Sequence, residues 1–354
     1  MLARLSRAAA LAGLLCLPLP AAVADAQSAE EGQALDVRRL SAEQRRRLLA
    51  GEYIAYQVAE TTETELGAGV AMYLPVPLGR AAEAITSPDV VVKDPSNTAW
   101  GPLAPDATVA ALAGYKLSTG EVAEAQDAFD ATAGARLNLS VAEIEAFRAA
   151  RATLRGTDRA AVAEGGAAQW RVLLLQRGEA FQARGLDGVA PYARRGGVSD
   201  PAAVLRVAAG DARIVGHLMP RLADALLRFP AEQSPTAVSQ FYWVKRQVQG
   251  RPDPIVVHHL TDVTPQLALY VERHVYVGHS YNASQSLSGA VPYEDGVLIF
   301  SSNRVSTDQI AGLGGELKRT IGRRQLRGEI VKRFDRIRAT LVKPTAPSER
   351  VESP

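Results

Sequence analysis

Five histidines are the residues of this 354-residue chain best suited to proton transfer or ligation near neutral pH. Four lie close together, at His258, His259, His274 and His279; the fifth is His217. In an extended strand His258 and His259 point to opposite faces, and an unbroken strand also separates His274 from His279. A bulge near Gly278 would change that. One member of each pair can therefore face a cavity. Glu272 or Asp262 would complete a two-histidine metal site, but no short signature such as His-Glu-x-x-His is present. The histidines are read instead as hydrogen-bonding groups in a half-polar wall, with no metal and no cofactor.

Aromatic residues crowd the same stretch: Phe241, Tyr242, Trp243, Tyr270, Tyr276, Tyr281, Tyr293 and Phe300. Strands favour them as ordinary sheet core. Tyr and His also join an apolar body to a polar tip, which suits a pocket that must orient a ligand. On that reading Tyr242, Trp243, His259, His274, Tyr276, His279 and Tyr281 form the ligand-binding set. Nucleophilic catalysis has thin support. Gly278-His279-Ser280-Tyr281-Asn282 lacks the second glycine of a nucleophile elbow. Serines 280, 284, 286 and 288 read as the small, polar face of a strand, and no catalytic residue is assigned. Gly312-Leu313-Gly314-Gly315 matches neither the P-loop nor the dinucleotide fingerprint. It reads as backbone freedom where a strand turns into a helix.

Strands must hold these residues. After Pro235 the runs 238–248, 254–262, 267–280, 284–291 and 296–303 are rich in Val, Tyr, Ile and Phe and are separated by turn residues. Close strands with short turns pair antiparallel. From Gly315 to about Val342, Leu317, Ile321, Leu326, Ile330, Phe334, Ile337 and Leu341 recur mostly at steps of three or four, the period of one long amphipathic helix. Upstream, 53–60 and 68–74 read as strands, 78–86 as a short helix and 90–93 as a further strand. Residues 94–120 read as loop and 136–139 as a short strand. Helices are predicted over 121–133, from the Ser140–Glu143 capping box onward, over 167–184, over 201–207, and over 212–229 with a kink at Pro220. The fold class is α+β: an antiparallel sheet gripping a long C-terminal helix, with a helical insertion.

Val70-Ala71-Met72-Tyr73-Leu74-Pro75-Val76-Pro77 leads an apolar strand through prolines into a short helix. With the later strands and the terminal helix, that order resembles the helix-grip fold of the START-like superfamily. The resemblance implies a curved sheet around the helix and, between them, a cavity for sterols, lipids, aromatic polyketides or similar apolar ligands. Residues from about 100 to 235 would be a helical insertion. The C-terminal third also resembles an uncharacterised family of exported bacterial proteins. Phe241-Tyr242-Trp243, the stretch His274–Tyr281, Ser302-Asn303-Arg304-Val305 and Gly314–Arg319 carry that likeness, which transfers no activity.

At the N-terminus, Arg4, Arg7, the apolar run 8–19 and Ala22-Val23-Ala24 or Ala24-Asp25-Ala26 fit a cleavable secretory signal ending near residue 26. A membrane span needs about 20 apolar residues, and Pro18 and Pro20 break this shorter run. Cys16, the only cysteine, leaves with the signal, so neither a disulfide nor a cysteine-ligated metal is expected. A formal charge of +2 argues against nucleic-acid binding. The terminal helix is nevertheless lopsidedly basic. Lys318, Arg319, Arg323, Arg324 and Arg327 would offer a face to an anionic membrane surface or an acidic partner. The expected organisation is a signal peptide over 1–26, a polar linker over 27–40, one START-like domain over 41–343 and a disordered tail over 344–354. The leading expectation is a periplasmic or secreted protein that binds or transfers an apolar small molecule or lipid without catalysis. The alternatives are a cyclase-like or hydrolytic cavity enzyme using His259, His274 or His279 as acid or base, and an envelope interaction protein docking through the basic helix.

Overall fold

A computed structural model describes residues 40–87, 94–134, 136–210, 220–231, 236–310 and 315–342. The expected signal peptide, the linker to residue 39, the strand expected at 90–93, His217, residues 312–314 and the tail lie outside the described residues.

The strands predicted after Pro235 form a meander. They are β6 (Ala237–Val248), β7 (Arg251–Thr264), β8 (Leu267–Val277), β9 (Ala283–Tyr293) and β10 (Gly296–Ser306). Gln249 and Gly250 both take positive φ, as the tight hairpin turn between β6 and β7 requires. β2 (Glu65–Leu74) pairs with β10, β1 (Ile54–Tyr56) pairs with β2, and β3 (Asn97–Pro102) pairs with β6. The result is one antiparallel sheet in the order β1-β2-β10-β9-β8-β7-β6-β3. β2 is buried at every residue, so it reads as an uninterrupted apolar run rather than an alternating one. Gly69 is required there, since a Cβ would lie 2.2 Å from the Tyr56 ring.

The strand β3 was not legible: it lies in the stretch read as loop. Asn97-Thr98-Ala99-Trp100-Gly101-Pro102 has poor strand propensity, and pairing with the edge of β6 overrides it. Residues 136–139 are not a strand. Asn138 docks instead on the end of β8, its N–H bonding Gly278 O at 2.7 Å and its Nδ2 bonding Val277 O at 2.9 Å.

Helices cover both faces of the sheet. On one lies α8 (Gly315–Leu341) beside α2 (Leu78–Thr86). Ile330, Val331, Phe334 and Ile337 pack on Val70, Met72, Leu74 and Ile299, and on Ala81, Ala82 and Ile85 of α2. On the other face are α1 (Ala42–Leu49), α3 (Val122–Phe129), α4 (Val141–Ala152), α5 (Arg159–Arg184), α6 (Pro201–Gly210) and α7 (Pro220–Arg228). A small hairpin, β4 (Tyr192–Arg194) and β5 (Gly197–Ser199), accompanies them. α5 begins earlier than the predicted 167, capped by Asp158, whose carboxylate accepts from Ala161 N at 2.9 Å. Gly165-Gly166 hides that start in the sequence. Gly166 is there for packing, since its missing Cβ would lie 2.3 Å from that of Ala125 on α3. The layout is the α+β sheet-and-terminal-helix arrangement of a helix grip.

α8 does not sit centrally. It packs chiefly on β2 and α2, and only lightly on β10. Arg319 and Arg323 on α8 both bond Glu60, Tyr53 OH bonds Asp335, and Arg338 bonds Gly51 O. Leu317, placed in the apolar stripe by spacing, is exposed. α2 covers the Ala268 and Ala290 end of β8 and β9; because α8 leans to one side, the rest of the facing surface of β7–β9 is not closely packed by it.

Candidate functional site

A cavity of about 630 Å³ lies between that surface and α8. Alternation along the strands decides its lining. From the sheet come Val257 of β7, Glu272 and His274 of β8, Ser284 and Ser286 of β9, and Ser301, Asn303 and Val305 of β10. α8 contributes Leu326, Glu329, Ile330, Lys332, Arg333 and Arg336, while Asp94, Ser96, Arg246, Gln247 and Tyr281 are among the other polar residues of the wall. The hollow exists because serines stand where larger side chains would close it. Its lining is mixed rather than purely apolar, the aliphatic part including Val257, Val305, Leu326 and Ile330.

One chain of hydrogen bonds runs through the sheet wall. Glu272 accepts from His274 Nε2 at 2.8 Å and from Tyr270 OH at 2.7 Å. His259 Nε2 lies 3.3 Å from the same carboxylate and 2.9 Å from Tyr270 OH. Tyr281 OH lies 2.5 Å from His274 Nδ1. Burial pushes the Glu272 pKa up, but the hydrogen bonds from His259 and His274 outweigh it and hold the carboxyl well below the usual range. Burial lowers the His274 pKa, only partly offset by Glu272, so the imidazole is neutral near pH 7. The proton positions then follow. An ionised Glu272 can only accept, so His274 carries its proton on Nε2, and Tyr281 donates to the lone pair on Nδ1. Burial raises the Tyr281 pKa far above its ordinary value although Arg246 beside it acts in the opposite direction. The order hydroxyl, imidazole, carboxylate is that of proton-relay triads, here ending at the cavity wall.

The residues expected to bind a ligand divide three ways. His274 and Tyr281 line the cavity. His259 and Tyr242 stand behind it on the same face; their rings lie 5.0 Å apart, and His259 reaches the cavity only through Tyr270 and Glu272. Trp243 and Tyr276 lie on the opposite face. Trp243 Nε1 donates to Ala111 O at 3.2 Å, and the Tyr276 ring sits 4.9 Å under the Arg177 guanidinium. His279 lies past the end of β8, its N–H bonded to Asp253 and its Nε2 3.3 Å from Pro252 O. Alternation separates Trp243 from Tyr242, and a register shift in the β7–β8 pairing at Val256/Val257, with Val275 as the extra residue, turns Tyr276 away from the face of His274. Sequence reasoning overlooked Tyr270 as a partner of Glu272, together with Arg246 and Arg333. The spacing Tyr270-x-Glu272-x-His274 carried the first of these, because alternate residues share a strand face.

On the basic helix, Arg319 and Arg323 are tied to Glu60 at 3.0 and 2.7 Å and Arg327 is also engaged. Lys318 is half-buried and Arg324 exposed. Among the described residues no helix is long and apolar enough to cross a membrane, and no group of three or more His, Asp or Glu is arranged to hold a metal ion.

No family model and no curated protein matches the chain. Among solved structures it is similar to the chain in the crystal structure of Ara h 8.0201. The two are 14% identical over 40% of this chain and 89% of that one, with a TM-score of 0.19. A superposition that loose assigns no residue a role, so the site stands on its own geometry.

Proposed function

We propose that this is an exported binding protein that holds a small organic molecule in the cavity between sheet and terminal helix. The single observation that carries the reading is the 630 Å³ hollow, which falls in the range of small-molecule sites. Val257, Val305, Leu326 and Ile330 suit an apolar body. Serines, Asn303 and the His274–Tyr281 pair suit a polar end. The test is fluorescence enhancement of N-phenylnaphthylamine, a neutral probe, on titration with the protein. Ser286→Phe, which fills the hollow, is expected to abolish the enhancement while the protein still melts cooperatively. No enhancement in the parent, or the same enhancement in the variant, would sink the reading.

A second reading, general acid–base catalysis in the same cavity, is favoured by the Tyr281–His274–Glu272 relay. Its test is hydrolysis of a series of nitrophenyl esters. Tyr281→Phe should remove turnover and keep probe binding; equal turnover in the variant would discard it.

A further inference from the structure

We infer that the occupant of this cavity is an organic anion, and that Arg333 receives its charge. The inference rests on the cavity being a binding site. The described charged groups of the lining are four cations, Arg246, Lys332, Arg333 and Arg336, against three carboxylates, Asp94, Glu272 and Glu329. Each carboxylate already has donors. Glu272 has His274 and Tyr270, Glu329 pairs with Lys332 at 2.8 Å, and Asp94 accepts from the Ser96 N–H and hydroxyl. Arg246 is engaged too: its Nε donates to Asn97 at 3.0 Å, and Tyr281 and Glu272 lie beside its charge.

Arg333 differs. Its guanidinium lies 5.0 Å over the Tyr270 ring, and Nε and Nη2 are packed away from water with no hydrogen-bond partner among the described residues. A cation over a ring face satisfies charge in part but gives N–H groups no acceptor. The side chain is half-buried and borders the cavity. A ring face holds it loosely in direction, so rotation about its outer torsions presents the fork to an anion in the hollow. A carboxylate or sulfonate supplies two oxygens matched to that fork. Arg336, one helical turn along, adds charge on the same side of α8. The excess of cations also raises the local concentration of anions before any contact is made.

The experiment compares two ligands with the same ring: naphthaleneacetate and naphthaleneethanol, titrated calorimetrically into the full chain at low salt. The acid is expected to bind roughly 10- to 100-fold more tightly, the usual worth of a hydrogen bond to a charged group. Added salt should shrink the preference. Arg333→Gln should remove most of it, weakening the acid far more than the alcohol, while Arg333→Lys should retain part. Thermal melts establish that both variants are folded. Equal affinities, or a tighter alcohol, overturn the inference and leave the cavity reading standing. A preference that survives intact in Arg333→Gln overturns the assignment to Arg333. Binding of neither ligand, together with no phenylnaphthylamine signal, removes inference and cavity reading alike.

Discussion

The two faces of the central sheet are built from the same strands and come to opposite ends. His258 and His259 are adjacent on β7 and equally buried. His258 lies flat against Phe241 at 4.7 Å, with Phe229 at 4.9 Å and Phe181 at 5.3 Å. Burial drives its pKa far below the ordinary value, so it serves as a neutral, ring-shaped piece of core. His259 turns the other way and meets Glu272 and Tyr270. Alternation chooses the face; the neighbouring strands choose what the histidine can do there. The faces differ in density for the same reason. The insertion brings Phe147, Trp170, Leu174 and Phe181 onto one side, whereas β9 and β10 offer serines to the other.

The largest expected effect separates a packed face from a hollow one. Phe181 is fully buried and touches Phe229, Phe241 and His258. Phe181→Ala should cost about 3–5 kcal/mol in urea unfolding, through lost transfer energy and an unrelaxed void. Ser286→Ala, on the cavity wall, should stay within about 0.5 kcal/mol, since its hydroxyl faces space that water fills. Similar losses for the two would mean that the faces are not packed differently.

Much of that contrast was legible in the chain. The meander after Pro235 and the α8 period were read from apolar spacing, because a strand buried on one face and a helix with one apolar stripe leave periods of two and 3.6. The opposed directions of His258 and His259 followed from the same rule. The fate of Trp243 and Tyr276 did not. Trp243 belongs to a strand that mixes polar and aromatic residues on each side, so the periodicity could not say which side the insertion would cover, and Tyr276 leaves the face of His274 through a bulge at Val275 that no spacing announces. The lean of α8 toward β2 was equally hidden. Glu60 bonding Arg319 and Arg323 accompanies it, a pairing across more than 250 positions that no local pattern announces. Without that lean, the extra cations read as a solvated face and Arg333 has no special place.

A smaller effect should appear on acidification and should tell the two histidine environments apart from the carboxylate. His258 and His274 have folded pKa values below the ordinary one, so the unfolded chain binds more protons than the folded one as pH falls. Stability is then whole above about pH 6.5 and declines below it. Glu272 also has a depressed folded pKa, so its contribution is whole above about pH 4.3 and is lost as pH falls further. Urea midpoints across this range should show a decline beginning with the histidines and continuing with the carboxylate. Glu272→Gln should remove the later part, and should cost about 1–3 kcal/mol at pH 7 because its NH₂ meets groups that are themselves donors. A flat midpoint between pH 7 and pH 5 would contradict the buried, neutral histidines.

The smallest expected effect lies within the hollow face itself. Ser288 and Ser301 share a hydrogen bond of 3.0 Å across β9 and β10, and both are buried. Were this a dry core, removing one hydroxyl would strand the other. Ser301, however, borders the cavity, so water reaches it when Ser288 is gone. Ser288→Ala should therefore cost less than about 1 kcal/mol, and Ser301→Ala somewhat more, because Ser288 is further from the hollow. The double variant, with no hydroxyl left to satisfy, should be close to the parent, giving a coupling about equal to the sum of the two single losses, about 1–2 kcal/mol, in a double-mutant cycle. A single-variant loss near 3 kcal/mol that the double variant recovers would mean that the serine face is sealed from water and that the space beside α8 is not open to a ligand.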